Sequence, residues 1–386
     1  MLWLTSHAAL QTLKTASPHS SVAGERVHAL ATKIAAHGFE PVGRALAGEI
    51  ARRAEAYIAG LEAYRRHPFR RRGSTSSVIW REGTTRLLGY GCRSASSVVL
   101  VIPSLINRYY VLDLLPERSF VRHLVGFGLR VMVIDWGAPG EEESRFDLTD
   151  YIAGRLEAAF AAAARIAGAP IAVVGYCMGG LLALALALRR RPQVACLALL
   201  ATPWDFHALG SGQAQLVGLA VDCWARSCRA IGNVPVELIQ TLFFILDPFA
   251  AENKFVRFAA LDPVSDEARR FVALEDWIND GVPLALGVAR NCARSWYGGN
   301  DPTHGVWQVA GQRVRPQALR RPALVVVPGR DRIVPPSSAE PLAAALSTST
   351  VMRPPLGHVG MMSALRAPDI LWTPVAQWLL ARLAER

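Results

Sequence analysis

One cysteine stands where a nucleophile is most readily placed in this chain. Residues 172–180 read "AVVGYCMGG", an apolar run that ends in Gly175-Tyr176-Cys177-Met178-Gly179, a GxCxG pattern. Glycines two before and two after a nucleophile let a strand turn sharply into a helix, because larger side chains would collide at the apex. Cysteine takes the place of the usual serine, and no GxSxG occurs elsewhere to compete with it. A sulfur at the start of a helix is favoured as thiolate, so this position suits acyl transfer. Taken alone, the pattern also fits, less well, a structural cysteine buried in a glycine turn.

Such a nucleophile needs a base and an acid to orient it, in the chain order nucleophile, acid, histidine. The apolar run "ALVVVPG" leads into "RDRIVPP", placing Asp331 on the loop just past a strand, and "STVMRP" leads into "PLGHVGMM", placing His358 beyond the next one. Asp331 alone also suits a helix cap, and His358 alone a turn. Together with Cys177, and in this order, they spell a triad. His123, His207 and His304 sit in helices or beside the central helical stretch, where a structural or solvent role serves. Asp135, in "VIDWGAP", is the alternative orienting acid, with a turn-capping role competing. The backbone N–H of Met178 and that of Leu105, in the loop after the first sheet strand, are the candidate donors to an oxyanion.

These residues need a sheet that brings strand ends together. From Ser97, short runs ("SVVLVIP", "LRVMVID", "IAVVGY", "VACLALL", "ALVVVPG", "STVMRP") alternate with amphipathic stretches, including Thr149 to Ile166, Gly179 to Arg190 and Ser337 to Leu346. Continuous apolar strands are buried on both faces, which with the alternation predicts a mostly parallel, doubly wound α/β sheet. Ser337 with Glu340 predicts a capping box. "SSVIWREGTTRLLGYG" predicts a hairpin about Glu82-Gly83. Four parts are expected: a helical amino-terminal segment with a basic linker (1–78), a first core part (79–203), an aromatic, helical lid or cap insertion (204–314), and a second core part (315–386). In the first part, Leu46, Ile50, Tyr57, Leu61 and Tyr64 share one helical face.

Composition narrows the class further. The chain has 386 residues, 51% of them hydrophobic and 19% charged, which excludes a disordered polymer. The uncharged stretch from Ile166 to Leu188 is long enough to cross a bilayer, yet its proline, glycines and β-branched first half read as strand, turn and helix. No transmembrane segment is expected. The start, "MLWLTSHAALQTLKTAS", lacks a basic opening and makes a poor export signal, so a cytoplasmic location is expected. Six cysteines without CxxC spacing suggest neither a metal site nor a disulfide scaffold. The net charge of +11, from 42 Lys and Arg against 31 Asp and Glu, suits either phosphate-bearing ligands or an arginine-rich solvated surface. The densest cluster, "RRHPFRRR", has no nucleic-acid-binding motif beside it, and no nucleic-acid partner is expected.

The segments "VIPSLINRYYVLDLLPERSFVRHLVGFGLRVMVIDWGAPG", "GYCMGG", "ATPWDF", "ALEDWINDGVP", "PGRDRIVPP" and "GHVG" together resemble the polyhydroxyalkanoate synthases, members of the α/β-hydrolase superfamily. The resemblance runs from about Ile79 to Met362 and is strongest to the short, class III and class IV synthases. It implies polymerisation of (R)-3-hydroxyacyl-CoA to a polyester with release of CoA, and no cofactor beyond the CoA thioester itself. It implies further that Cys177 carries the growing chain as a thioester, that His358 serves as base and that Asp331 supports it. A second subunit or a homodimer, and a place at the surface of polyester granules, also follow from the resemblance. Arg332 stands where the family commonly has histidine, and the resemblance does not extend to residues 1–78. A cysteine-dependent hydrolase, acting as thioesterase or depolymerase, stays open as the alternative, and so does a scaffold that binds polymer without catalysis.

Overall fold

The apolar runs of the sequence line up as strands in a computed structural model that describes residues 22–71, 73, 76–246 and 250–385. Met1 to Ser17, read above as a poor export signal, lie outside the described residues. Eight strands form one sheet among the described residues: β1 (Ser77–Glu82), β2 (Thr85–Tyr90), β3 (Val98–Ile102), β4 (Arg130–Asp135), β5 (Ile171–Tyr176), β6 (Val194–Leu200), β7 (Ala323–Val326) and β8 (Ser349–Met352). Their order across the sheet is β1-β2-β4-β3-β5-β6-β7-β8. Only the hairpin end is antiparallel, where β1 pairs β2 and β2 pairs β4; β4 through β8 run parallel.

Burial explains why this sheet forms. Every residue of β3, β5, β6 and β7 is buried, which is what their unbroken aliphatic runs require of strands covered on both faces. β8 is only half-buried, as befits an edge. Behind β5 the helix Met178–Arg189 is buried along all but its last residue, and its alternating Ala and Leu fit a helix that has no wet face. The stretch once long enough for a bilayer is therefore a core strand, a turn and a core helix. No helix among the described residues is long and apolar enough to cross a membrane.

Two local expectations change. The hairpin turns at Gly83 and Thr84, with Gly83 at φ 53°, one residue later than Glu82-Gly83. The capping box at Ser337 does not form. The helix begins at Pro336, so Pro335 occupies the cap position without a side-chain bond, and Glu340 instead pairs with Arg353 at 3.0 Å. Proline at the first helical turn removes an N–H that would otherwise need a cap, which makes the serine redundant.

The described parts of Met1–Phe69 and Pro248–Val272 cluster as one compact unit, and Arg70–Asp247 with Ala273–Arg386 as another. In the first, the long helix Phe39–Arg66 packs against Ala250–Ala259, with Tyr57 and Tyr64 edge-on to Phe255 and Gly60 directly over its carbonyl. Leu46, Ile50, Tyr57, Leu61 and Tyr64 are all half-buried on that helix. The second unit holds the sheet and the residues described next.

Candidate active site

Cys177 sits at the apex between β5 and its helix, half-buried, with φ 56° and ψ −127°. That backbone is uncommon for a residue with a side chain and is held only where the surroundings enforce it. Two contacts do so. The Cys177 N–H donates to the Leu200 carbonyl at the end of β6 (2.8 Å), and its own carbonyl accepts from Gly180 (2.9 Å). The flanking glycines are required sterically. A Cβ at Gly175 would lie 2.5 Å from the Gly180 Cα, and one at Gly179 would lie 2.1 Å from the Ile102 carbonyl oxygen and 2.7 Å from Pro103.

The Gly179 contact has a second meaning. It brings the loop that leaves β3, with Leu105 on it, against the start of the Cys177 helix. Since the obstacle is backbone, it cannot rotate away. Gly179→Ala should therefore cost about 3 kcal/mol or more, or displace that loop. Denaturant unfolding checks it: a midpoint equal to that of the wild type would show that the loop yields freely.

His358 and Asp331 meet as their chain order requires. Asp331, its carboxylate fully buried, accepts from His358 Nδ1 through Oδ2 at 2.7 Å. Its other oxygen accepts the backbone N–H groups of Ile333 and Val334, both at 2.8 Å, so the carboxylate has no freedom to turn. Burial alone would lower the pKa of His358. The charge of Cys177, hydrogen bonds to Asp331 and Cys177, and the charge of Asp331 outweigh it and push the ring up to about 10. His358 thus faces both Asp331 and Cys177, and each favours the protonated ring.

The other candidates lie elsewhere. Asp135 caps its turn by accepting from the Gly137 N–H (3.1 Å) and pairs with Arg86, while the buried Trp136 donates to the Pro103 carbonyl (3.1 Å). His123 bonds Thr373 (3.0 Å), His207 the Tyr297 carbonyl (2.8 Å) and His304 the Gly299 carbonyl (2.9 Å). Met178 is the first residue of its helix, where the N–H has no carbonyl one turn back. Among the described residues no group of three metal-ligating side chains occurs, and the cysteines form no disulfide.

Two aromatic residues escaped the sequence reading. Tyr176, next to the nucleophile, stacks on the His358 ring with centroids 5.3 Å apart. Tyr297 lies in a π-helical turn, Cys292–Gly298, and packs edge-on to Phe206 at 5.2 Å. Burial, then the charges of Cys292 and Cys177, hold its phenol protonated. A π-turn shifts helical register by one residue and often marks a functional site, but its residues carry no signature in sequence.

Comparison with known proteins speaks to the fold and the family. A model of the α/β hydrolase fold matches residues 98–225. A thermophilic esterase from Thermogutta terrifontis superposes with a TM-score of 0.50 at 20% identity, covering 80% of this chain and 99% of the esterase, which speaks to fold alone. The poly(3-hydroxyalkanoate) polymerase subunit PhaC of Haloferax mediterranei is 28% identical over 80% of this chain, which spans 64% of that relative's length. The PhaC subunit of Synechocystis sp. is 30% identical over 74% of this chain and 78% of its own length. Sheet order, cysteine elbow and these similarities lead to one conclusion: the chain belongs to the PhaC family of poly(3-hydroxyalkanoate) polymerases, on the α/β hydrolase fold.

Proposed function

We propose that this protein polymerises (R)-3-hydroxyacyl-CoA, with Cys177 as nucleophile, His358 as general base and acid, and Asp331 as the group that orients His358. The observation that carries this reading is the Asp331–His358 hydrogen bond on a ring whose protonation Cys177 also favours, with Cys177 at the elbow of a PhaC-family sheet. In the first transfer the Cys177 thiolate attacks the thioester carbonyl. The C–S bond to CoA breaks, and the CoA sulfur leaves with the proton from His358. One thioester replaces another, so the step is nearly balanced in free energy and leaves an acyl group still reactive toward an alcohol.

Acylation also resets the base. Once Cys177 is a thioester its charge is gone, and with it the first of the influences that raise the pKa of His358. Burial then weighs more heavily and the ring is left neutral, ready to take the proton of an incoming 3-hydroxyl. That oxygen attacks the Cys177 thioester, an ester bond forms, and the thiolate returns with an imidazolium beside it. General-base assistance of this kind contributes roughly 10²- to 10⁴-fold. The Met178 and Leu105 N–H groups are the proposed donors to the oxyanion in both steps.

Residues 204–246 and 273–314, aromatic and helical and in the same unit as the triad, serve in this scheme as the cover that keeps water from competing with the hydroxyl. The relatives are named as polymerase subunits, and a second chain, of another kind or a copy of this one, belongs to the proposal. So does a cytoplasmic location at the surface of the polymer particle, where soluble acyl-CoA meets insoluble product.

Incubation with (R)-3-hydroxybutyryl-CoA tests the reading. Release of free thiol together with insoluble polyester is expected. Thiol release yielding only soluble 3-hydroxyacid would replace polymerisation with hydrolysis on the same triad.

A further inference from the structure

His358 is held on more than its Asp331 edge. The Tyr176 ring lies over the imidazole, with centroids 5.3 Å apart and the planes inclined by 30°. The same residue's hydroxyl donates to the His358 carbonyl at 3.2 Å, so one side chain grips both the ring and the main chain of the histidine. Tyr176 is buried, is the last residue of β5 and immediately precedes Cys177. Strand β5 thus fixes the thiol and the face of the imidazole from adjacent residues, while Asp331, after β7, fixes the imidazole edge.

We infer that Tyr176 is a positioning residue whose ring stabilises the imidazolium form of His358 and so maintains the thiolate of Cys177. An aromatic face carries negative charge density and attracts a cation within about 6 Å of the ring centre. Imidazolium gains from that contact, and neutral imidazole gains much less. The titratable groups in contact with His358 are Cys177, Asp331 and Tyr176 itself. The Tyr176 phenol is held protonated, by burial first and then by the charges of Cys177 and Asp331, so it remains a neutral donor across the working range.

The inference rests on the Cys177–His358 pairing, and its test is arranged to separate the two. The readout is the rate of Cys177 alkylation by iodoacetamide as a function of pH, which requires no acyl-CoA, with Cys92 and Cys223 replaced by serine to silence the exposed thiols. Tyr176→Phe keeps the ring and removes only the hydroxyl. Pentafluorophenylalanine at 176 keeps that shape and reverses the charge distribution of the ring face.

The Phe variant is expected to alkylate within about 3-fold of the wild-type rate at pH 7. The fluorinated ring should slow it a further 5-fold or so. Its profile should move toward that of an isolated thiol, which gains reactivity only as pH rises. Equal rates and profiles for the phenyl and pentafluorophenyl variants would overturn the inference, since a purely steric role cannot tell them apart. His358→Ala is the control. If it leaves the profile unchanged, the Cys177–His358 pairing itself fails; if it slows alkylation while fluorination does not, only the role of Tyr176 fails.

Discussion

Cys177→Ala should reduce CoA release from (R)-3-hydroxybutyryl-CoA by about 10⁴-fold or more while leaving the fold intact. The magnitude follows from the route. Without sulfur there is no covalent acyl-enzyme, and what remains is binding plus the oxyanion donors, which in triad enzymes leave only a small residual rate. The fold should survive because alanine, like cysteine, has one Cβ to place at φ 56°. The backbone bonds to the Leu200 carbonyl and from the Gly180 N–H do not involve the thiol. Circular dichroism should therefore match the wild type and unfolding should stay cooperative, so that lost activity is not lost structure. Thiol release measured with a disulfide reagent decides the matter. A variant retaining even a tenth of the activity would exclude Cys177 as nucleophile and favour the reading in which the chain binds polymer without catalysis.

Asp331→Asn is expected to cost about 10³- to 10⁴-fold in kcat, for a reason visible in the hydrogen bonds. One oxygen of Asp331 accepts two backbone N–H groups, from Ile333 and Val334. An asparagine must place its carbonyl there, because its NH2 would face two donors. That turns the NH2 toward His358 Nδ1, where the carboxylate now accepts at 2.7 Å. Nδ1 would have to accept, which moves the ring proton to Nε2 and leaves no lone pair for the proton of the thiol or hydroxyl. Losing the correct tautomer in this way is among the largest effects of a single isosteric change. It should fall on kcat far more than on KM, since Asp331 touches no substrate in the scheme. Steady-state kinetics of the purified variant check this, and a loss confined to KM would remove Asp331 from the orienting role.

How much of this was legible in sequence depends on the range of the constraint. The elbow could be read directly because its cause is local: glycines at 175 and 179 are needed within two residues of Cys177, and the sequence carries them. The strands could be read because two-face burial demands unbroken aliphatic runs, and each such run became a strand of the sheet. Asp331 and His358 could be placed by order along the chain, since consecutive parallel strands deliver their following loops to the same sheet edge. The capping box at Ser337 failed because Pro335 and Pro336 set the helix start without a side-chain cap. The clustering of Pro248–Val272 with Met1–Phe69 had no signal, because it depends on how Phe255 meets Tyr57 and Tyr64, far apart in sequence.

By itself, then, the sequence determined the class of sheet and marked Cys177, Asp331 and His358 as the proposed triad, because steric clearance and burial leave periodic and positional traces. Tertiary structure alone decided what those groups do to one another. That His358 is pushed up to about 10, against its burial, comes from Cys177 and Asp331 both arriving beside one ring. That Tyr176 covers the ring's face comes from a tyrosine on β5 meeting a loop that follows β8. Electrostatic and stacking energies depend on distances of a few ångströms between residues from 27 to 182 positions apart, and no spacing along the chain records them.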